Sequence, residues 1–492
     1  MTLRAIAIKT LRRGKTRSSL VYTGLTALTI LLFCAVTGPL ISWDAVKVLA
    51  SATVLFALLL ATRARTQGQT RPRANDYFAP ALLIWWSLIA CGALFRRGET
   101  DWSAFEESSS LAAYQEGVFW LLAALVLLFI SLIRPSHLRG VFSGCQRWIS
   151  LFALVSLLSA AYSPRPFYSL AWAFKLALVA LVARMSTAGI RDLKDLGTFW
   201  RVTLWGFICI TVEPLIRALT HPSIAFKAGR LNEAIASPTA LSETAGVVLL
   251  LSLMLRSMDR RAWPLGFAVF GLVAMVASGG KTGIAAGVIS ATVFFMLQRR
   301  LASGLGLLCG ALVVGCIAFV VTPVHDYVTF YARSGDIETL TGRTELWSAA
   351  LPSIMARPIW GHGYVASRFV AGQVEGIFRA GHMHNRFLEV LYNNGITGLG
   401  LIAAVMCATA RNLWYVIRVR PSGTYLVVAV GSMAIYVNLL LVSLFEATLG
   451  GQAEPLFMLF LALAGISEVL PKMVDAKLAG RQRPVGPSAS FD

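Results

Sequence analysis

Charged residues are scarce in this chain of 492 residues, and the scarcity excludes an ordinary water-soluble globular protein. They make up 14% of the sequence, whereas soluble domains carry about a quarter. Hydrophobic residues account for 57%, and the mean hydropathy is +0.68. Long apolar stretches recur, each near the ~20 residues that cross a bilayer, without the alternating pattern of a transmembrane barrel. The sequence therefore predicts an all-α polytopic membrane protein.

The apolar stretches predict about 14 transmembrane helices, with roughly 12 as the lower bound. The predicted spans cover roughly 20–37, 45–61, 78–94, 116–133, 148–163, 168–183, 198–219, 239–255, 263–278, 282–297, 304–321, 396–410, 423–445 and 455–470. No small-residue cleavage site follows the basic N-terminal segment, so we expect a retained first helix there and no removed signal peptide.

Acidic residues are fewer still, at 24 against 44 lysines and arginines, for a net charge of +20. The basic residues collect in alternate connections such as "RAIAIKTLRRGKTR" and "RSMDRR", whereas the other connections include "ETDWSAFEESSS" and "EATLGGQAE". This alternation follows the positive-inside rule and predicts that both termini are cytoplasmic. Topology accounts for the basic charge, so no nucleic-acid partner is expected.

Cysteine is also rare, and none of the 7 lies in a predicted external loop. The sequence therefore predicts neither a disulfide framework nor a thiol metal site. Histidine is rarer, with 6 residues in the chain.

The one long connection, 322–395, lies between two predicted spans and is predicted to be external. Its arginines are Arg333, Arg343, Arg357, Arg368, Arg379 and Arg386. Its histidines are His325, His362, His382 and His384. Arginine binds phosphate through its planar fork, so one interpretation is a surface that binds a lipid-linked pyrophosphate. The other is that long loops simply escape the positive-inside bias.

Three further cations are predicted on the same side of the membrane: Lys227, Arg230 and Lys281. Lys281 follows Ser-Gly-Gly at a predicted helix start, where small residues and helix-terminal amides can approach a phosphate closely. The alternative is a lysine that snorkels to the membrane interface.

The stretch "GHMHNRFLEVLYNNG" predicts a short amphipathic helix on the membrane surface. Asn385 suits its N-cap and Asn394-Gly395 its end, with Arg386 and Glu389 spaced to pair. His384 then lies at the positive helix end, which favours a neutral ring that can accept a proton. A structural histidine and a His-x-His metal chelate are the alternatives, although no third ligand stands at metal-binding spacing.

These residues resemble the O-antigen ligase and polysaccharide polymerase family of bacterial inner-membrane proteins. His384-Asn385 is followed by nine residues and then by Gly395-x-x-Gly398, as in the family. The family's other blocks are similar to four segments that occur here in the family's order: "GRLNEAIASPTALSE", "SGGKTGIAAG", "LTGRTELW" and "RPIWGHGY". The similarity spans about 228–405.

The resemblance implies a metal-independent glycosyltransferase of GT-C-like architecture that needs no cofactor. Its donor would be a glycan on undecaprenyl pyrophosphate, used at the outer face of the inner membrane. The family's catalytic histidine maps to His384, and its donor-binding cations map to Arg230, Arg343 and Lys281. Lysine stands where many relatives have arginine, and it offers a point charge instead of a fork.

The acceptor separates two activities in this family. A polymerase extends lipid-linked repeat units into exopolysaccharide or O-antigen, whereas a ligase transfers the glycan to the lipid A core. Leu399-Gly400 stands where many ligases have two threonines, and "SGGKTG" is similar to exopolysaccharide polymerases, so we favour the polymerase. One base on the acceptor side predicts inversion at the anomeric carbon. A multispan transporter, with Lys175, Arg201 and Glu213 as midplane candidates, and a scaffold protein are the other hypotheses.

We therefore expect catalytic roles for His384, Arg230 and Arg343. The expected substrate-binding residues are Lys281, Lys227, His382, Asn385, Arg386, Arg357 and Arg379. The expected regions are an N-terminal bundle (1–227), a ligase/polymerase-like region with short amphipathic helices in its external loop (228–410), C-terminal helices (411–470) and a cytoplasmic basic tail (471–492). Expected partners are the lipid-linked donor, a glycan or lipid-linked acceptor, membrane lipid, a flippase and a chain-length regulator.

Overall fold

The computed structural model describes residues 81–82, 84–86, 88–89, 142–220, 226–227, 230–231, 238–259, 261–300, 302–303, 306, 309, 343–370, 383–421, 423–446 and 455–482. Predictions that concern other residues lie outside this described part of the chain. The described residues are almost entirely helical.

Eleven helices and one short hairpin are defined within the described residues. They are α1 (Gly144–Leu158), α2 (Pro166–Ala188), α3 (Leu193–Thr220), β1 (Phe226–Lys227), β2 (Arg230–Leu231), α4 (Pro238–Asp259), α5 (Trp263–Ser278), α6 (Lys281–Leu297), α7 (Arg343–Ala356), α8 (Ser367–Val370), α9 (Arg386–Val419), α10 (Thr424–Phe445) and α11 (Pro455–Gln482). A 3₁₀ turn at Ser159–Tyr162 links α1 to the α2 region, and β1 pairs antiparallel with β2.

Nine predicted spans coincide with described helices: α1 to α6, α9, α10 and α11. Six helices in the described part are long and apolar enough to cross a membrane, namely α1 with its 3₁₀ turn, α2, α4, α9, α10 and α11. The chain is therefore an integral membrane protein of helical class. The remaining predicted spans lie wholly or partly outside the described residues, so the total of about 14 stays a prediction.

Helix α4 is the central helix of the described bundle. Its side chains are buried without interruption from Leu241 to Ser252, and it contacts α3, α5, α6 and α10. Helix α5, by contrast, buries one face and exposes an apolar stripe. The exposed stripe consists of Leu265, Val269, Leu272, Val273 and Val276. An exposed apolar face on a bundle helix is expected where the surrounding solvent is lipid.

Small residues allow α4 and α6 to approach closely. A Cβ atom on Gly280 or Gly283 would overlap the side chain of Ser242 on α4, and Gly287 lies against Gly246. Small residues four positions apart on facing helices are the usual means of close packing in a membrane. Gly280, Gly283 and Gly287 of "SGGKTGIAAG" therefore face a neighbouring helix, so close packing explains these glycines independently of any ligand.

This crossing also defines which helix ends lie together. Gly246 lies close to the Asn438 side chain of α10 and to the Gly283 carbonyl of α6. The N-termini of α4 and α6 and the C-terminus of α10 thus lie at the same end of the bundle. Leu231 of the hairpin is buried against Leu241 at that end.

Candidate functional site

One carboxylate joins two of the predicted catalytic residues. Glu446, the residue directly after α10, lies 3.0 Å from His384 Nδ1 through Oε2 and 2.6 Å from Arg343 Nη2 through Oε1. The three side chains are 12%, 21% and 17% exposed, respectively. They therefore form a partly buried charged cluster that remains accessible at the end of the bundle.

The Glu446 contact fixes which nitrogen of His384 faces the cluster. A carboxylate can only accept hydrogen bonds, so Nδ1 is the protonated nitrogen that donates to Oε2. In the neutral ring this leaves Nε2 as the acceptor. Carboxylate-held imidazoles of this kind are preorganised to take a proton from a hydroxyl group.

Asn385 caps α9, as predicted. Its backbone is extended and its side-chain oxygen accepts a hydrogen bond from the Leu388 amide at 3.1 Å. Its amide nitrogen donates to the Leu444 carbonyl at 3.2 Å, two residues before Glu446. His384 itself has a φ of +47°, an uncommon conformation for a residue other than glycine, found mostly where surrounding contacts impose it.

Helix α7 carries Arg343, the third residue of the cluster. Arg343 is its first residue, and Trp347 lies one turn later on the same face. The indole nitrogen of Trp347 donates to the Met383 carbonyl at 2.8 Å, directly before His384. The "TGRTELW" block thus provides both an arginine for Glu446 and an anchor for the histidine segment.

A small apolar core attaches α7 to the first turns of α9. It contains Ala350, Ile354, Ala366, Met383 and Tyr392. Because these side chains are buried together, the position of Arg343 relative to His384 is set by packing as well as by charge.

The loop "RPIWGHGY" forms backbone hydrogen bonds to α9 on both sides of a kink in that helix. The amides of His362 and Gly363 donate to the carbonyls of Tyr392 and Asn393, both at 2.9 Å. Farther along, the Ile396 amide donates to the Pro358 carbonyl at 2.7 Å. The Pro-x-x-Gly-x-Gly and Gly-x-x-Gly blocks therefore contact each other.

Gly395 was predicted to end a short helix, and the structure corrects this. Its φ of 62° and ψ of −165° break the helical path, yet α9 resumes directly and continues to Val419. The helix therefore bends instead of ending, because the loop around Pro358 and Ile359 accepts the amides that the kink leaves free.

Arg386 pairs with Glu389 at 3.1 Å, the predicted i,i+3 pair, and the two side chains are only 2% and 1% exposed. This burial leaves almost none of the Arg386 side chain accessible to a substrate. His362 likewise has an internal role, since it stacks on Tyr392 and its Nε2 lies 2.8 Å from the Ser353 carbonyl.

Three predicted cations lie at the same end of the bundle as the cluster. Lys281 is exposed and begins α6. Lys227 and Arg230 are paired residues of the hairpin, of which the structure describes the backbone. Arg357 is exposed immediately after α7. His382 and Arg379 lie outside the described residues.

Sequence reasoning did not propose Glu446. The sequence feature that could have indicated Glu446 is its position directly after the apolar run 423–445, in a segment predicted to be external. Nothing in the sequence pairs it with residues 62 and 103 positions away. Among the described residues no group of three or more histidine, cysteine or acidic side chains is arranged to hold a metal ion, and the predicted metal independence stays a prediction.

Comparison with known proteins agrees with the motifs. Residues 266–403 match the family model described as O-antigen ligase. That range contains Lys281, Arg343 and His384. It also contains the loop at Pro358 and the kink at Gly395, which hydrogen-bond to each other. No curated protein matches the chain. Residues 266–403 are therefore similar to the O-antigen ligase family, and this match supports the resemblance to O-antigen ligases and polymerases that the motifs indicate.

Proposed function

We propose that the protein is a polysaccharide polymerase that transfers glycan from undecaprenyl pyrophosphate to a lipid-linked acceptor. The observation that carries the proposal is the contact of Glu446 with both His384 and Arg343. It joins a candidate base to a candidate anion-binding residue in a chain whose residues 266–403 match the O-antigen ligase family model.

His384 acts as the general base in this proposal. The acceptor hydroxyl donates to Nε2, and its oxygen attacks the anomeric carbon of the donor sugar. The bond from that carbon to the pyrophosphate oxygen breaks, and the hydroxyl proton remains on Nε2. Attack from the face opposite the leaving group inverts the anomeric configuration. Glu446 stabilises the resulting imidazolium and keeps the ring oriented.

Arginine and lysine side chains stabilise the leaving group. Arg343 holds Glu446 through one nitrogen, and a guanidinium carries N–H groups on all three of its nitrogens. Arg230, Lys281 and Lys227 complete the anion site in the proposal, with His382, Arg379 and Arg357 as further contacts. Fixed positive charge at the point where negative charge develops contributes strongly to catalysis.

The test uses the purified full chain and an undecaprenyl-pyrophosphate-linked repeat unit. We expect wild type to form a ladder of extended glycans, and His384→Ala and Arg343→Gln to form none under the same conditions. Full ladders from both variants would refute the assignment. Activity that persists in excess EDTA is expected, whereas loss in EDTA would contradict the metal-independent mechanism.

A second acceptor distinguishes the two members of this activity class. If lipid A core accepts the glycan and the lipid-linked repeat unit does not, the protein is a ligase. We further propose that the His384 cluster faces the periplasm, that both termini are cytoplasmic, and that a flippase and a chain-length regulator act with the enzyme. The positive-inside pattern supports this orientation.

A further inference from the structure

Lys175 lies well inside a helix that is apolar enough to span the membrane. It is nine residues after Pro166 in α2, about 14 Å along the helix axis. A charged side chain at such a depth is costly and usually marks a functional contact. The His384 cluster does not use it.

Two cations share one indole ring at this position. The Lys175 ammonium lies 4.2 Å and the Arg368 guanidinium 4.5 Å from the centroid of the Trp172 ring. The two charges are therefore no farther apart than the sum of these two distances. Arg368 is only 7% exposed and Lys175 is partly buried, so water screens the repulsion between these two charges less than it would at an exposed surface.

Tyr168 completes the group. Arg368 Nη1 donates to its hydroxyl oxygen at 2.7 Å, and its ring lies 6.0 Å from that of Trp172. Tyr168, Trp172 and Lys175 follow the spacing of a single stripe on α2. We name these three residues with Arg368 the Trp172 cluster.

The fold holds Arg368 against α2 with several specific contacts. Val365 has a φ of 63°, a conformation that is strained for a β-branched residue. Ser169 Oγ donates to the Tyr364 carbonyl at 2.7 Å, and the Ser367 amide donates to Asn393 Oδ1 at 2.8 Å. These contacts hold the segment that carries Arg368 against both α2 and α9.

The Trp172 cluster is separate from the His384 cluster. Asn393, to which Ser367 is bonded, lies eight residues after Asn385, about 12 Å along α9. The Trp172 cluster borders an exposed apolar stripe on α2 formed by Phe167, Leu170 and Phe174. That stripe is suited to contact with a lipid chain.

We propose that Lys175 and Arg368 bind the phosphate group of a membrane lipid. An anion shared by both cations lowers their mutual repulsion, and a guanidinium fork with an ammonium group matches phosphate oxygens. The lipid chain lies along Phe167, Leu170 and Phe174. The phosphate comes either from an anionic phospholipid or from a polyprenyl phosphate carrier, which present the same chemistry to the site.

The experiment counts lipid copies retained by the purified full chain in native mass spectrometry. The probes are phosphatidylglycerol and undecaprenyl phosphate, with diacylglycerol and undecaprenol as matched lipids that lack phosphate. We expect wild type to retain one copy of a phosphate lipid that Lys175→Gln and Arg368→Gln bind about tenfold more weakly. Arg368→Lys keeps the charge and should lose less.

Lys477→Gln is the matched control, because Lys477 lies 4.7 Å above Tyr425 and no second described cation shares that ring. It should leave the lipid copy unchanged. Preference for phosphatidylglycerol identifies a phospholipid, and preference for undecaprenyl phosphate identifies the carrier. Unchanged binding by the Lys175→Gln/Arg368→Gln double variant, or equal retention of the lipids without phosphate, would overturn the proposal. The assay measures binding alone, so its failure leaves the proposed glycan transfer untouched.

Discussion

Glu446 holds two side chains at once, through separate oxygens of its carboxylate. At the residue scale this makes it the centre of the candidate site. Without its charge, Arg343 loses an ion pair and His384 loses the acceptor that fixes its tautomer. A partly buried pair is costly to break on one side, since the partner charge is left uncompensated.

Glu446→Gln is the first prediction. Glutamine keeps the shape but removes the charge, and its amide can present a donor to Nδ1, which stabilises the wrong tautomer of His384. General bases contribute about 10²–10⁴ in rate, so we expect glycan transfer to fall by about 10²-fold or more. The measurement is the initial rate of ladder formation by purified full chain.

Asp475→Asn is the control for this variant. Asp475 lies at the opposite end of the bundle, where it accepts a hydrogen bond from the Tyr415 hydroxyl at 2.8 Å. The Asp475→Asn substitution makes the same change from acid to amide as Glu446→Gln. Its rate should match wild type. A Glu446→Gln enzyme that is as fast as Asp475→Asn would remove Glu446 from the mechanism.

At the scale of elements, the kink in α9 determines where its first turns point. Residues 386–394 hold the capped end next to Glu446, and the helix beyond Gly395 crosses the bundle. At the bend the carbonyls of Pro358 and Ile359 accept hydrogen bonds from the amides of Ile396 and Thr397, so the contacts of that loop depend on the kink.

Gly395→Ala is therefore expected to destabilise the protein. The backbone of Gly395 lies in a region that is essentially reserved for glycine, with a cost of about 1–3 kcal/mol for other residues, and a Cβ there would overlap the Ile359 carbonyl. Thermal unfolding in detergent measures the effect. Gly400→Ala is the matched control in the same helix, since a Cβ there meets no atom within 4 Å. If both variants unfold at the same temperature, the kink is not a constraint.

The α4–α6 contact supports a second prediction at this scale. Gly283→Ala inserts a methyl group against Ser242, and overpacking of this kind costs about 1–3 kcal/mol. Gly266→Ala in α5 adds the same methyl group to open space and should be neutral or stabilising by up to about 1 kcal/mol. Unfolding temperatures compare the two. Equal temperatures would contradict the close crossing.

At the scale of the whole molecule, the described structure places Lys281, Arg343, His384 and the hairpin of Lys227 and Arg230 at one bundle end. Helix α4 contacts α6, which begins with Lys281, and α10, which Glu446 follows, and its Leu241 packs against Leu231 of the hairpin. An accessible charged cluster at one bundle end is consistent with chemistry at a membrane face, whereas transporters usually bind their substrates near the midplane.

The proposed orientation gives the last prediction. In a cysteine-free background, Ser348→Cys on α7 should react with a membrane-impermeant maleimide added to cells with a permeabilised outer membrane. Asp475→Cys on α11 should react only after the inner membrane is opened. Both positions are exposed, so accessibility is not limited by burial. The reverse pattern would contradict a periplasmic site.

Local signals in the sequence predicted much of the described fold. The apolar runs predicted nine of the described helices, because helix length and composition are set by the bilayer. Asn385 as an N-cap and the Arg386–Glu389 pair were predicted as well, and both are confirmed. Each depends on residues within four positions of one another.

The sequence by itself determined the membrane class and the family resemblance, and it marked His384 and Arg343 as candidate site residues. Only the tertiary structure decided that Glu446 joins them, that Gly395 bends a helix instead of ending it, and that Arg368 meets Lys175 on one indole ring. These contacts join residues that are far apart in the chain. Their pairing depends on helix packing and on the path of the loops, which hydropathy and local spacing do not encode.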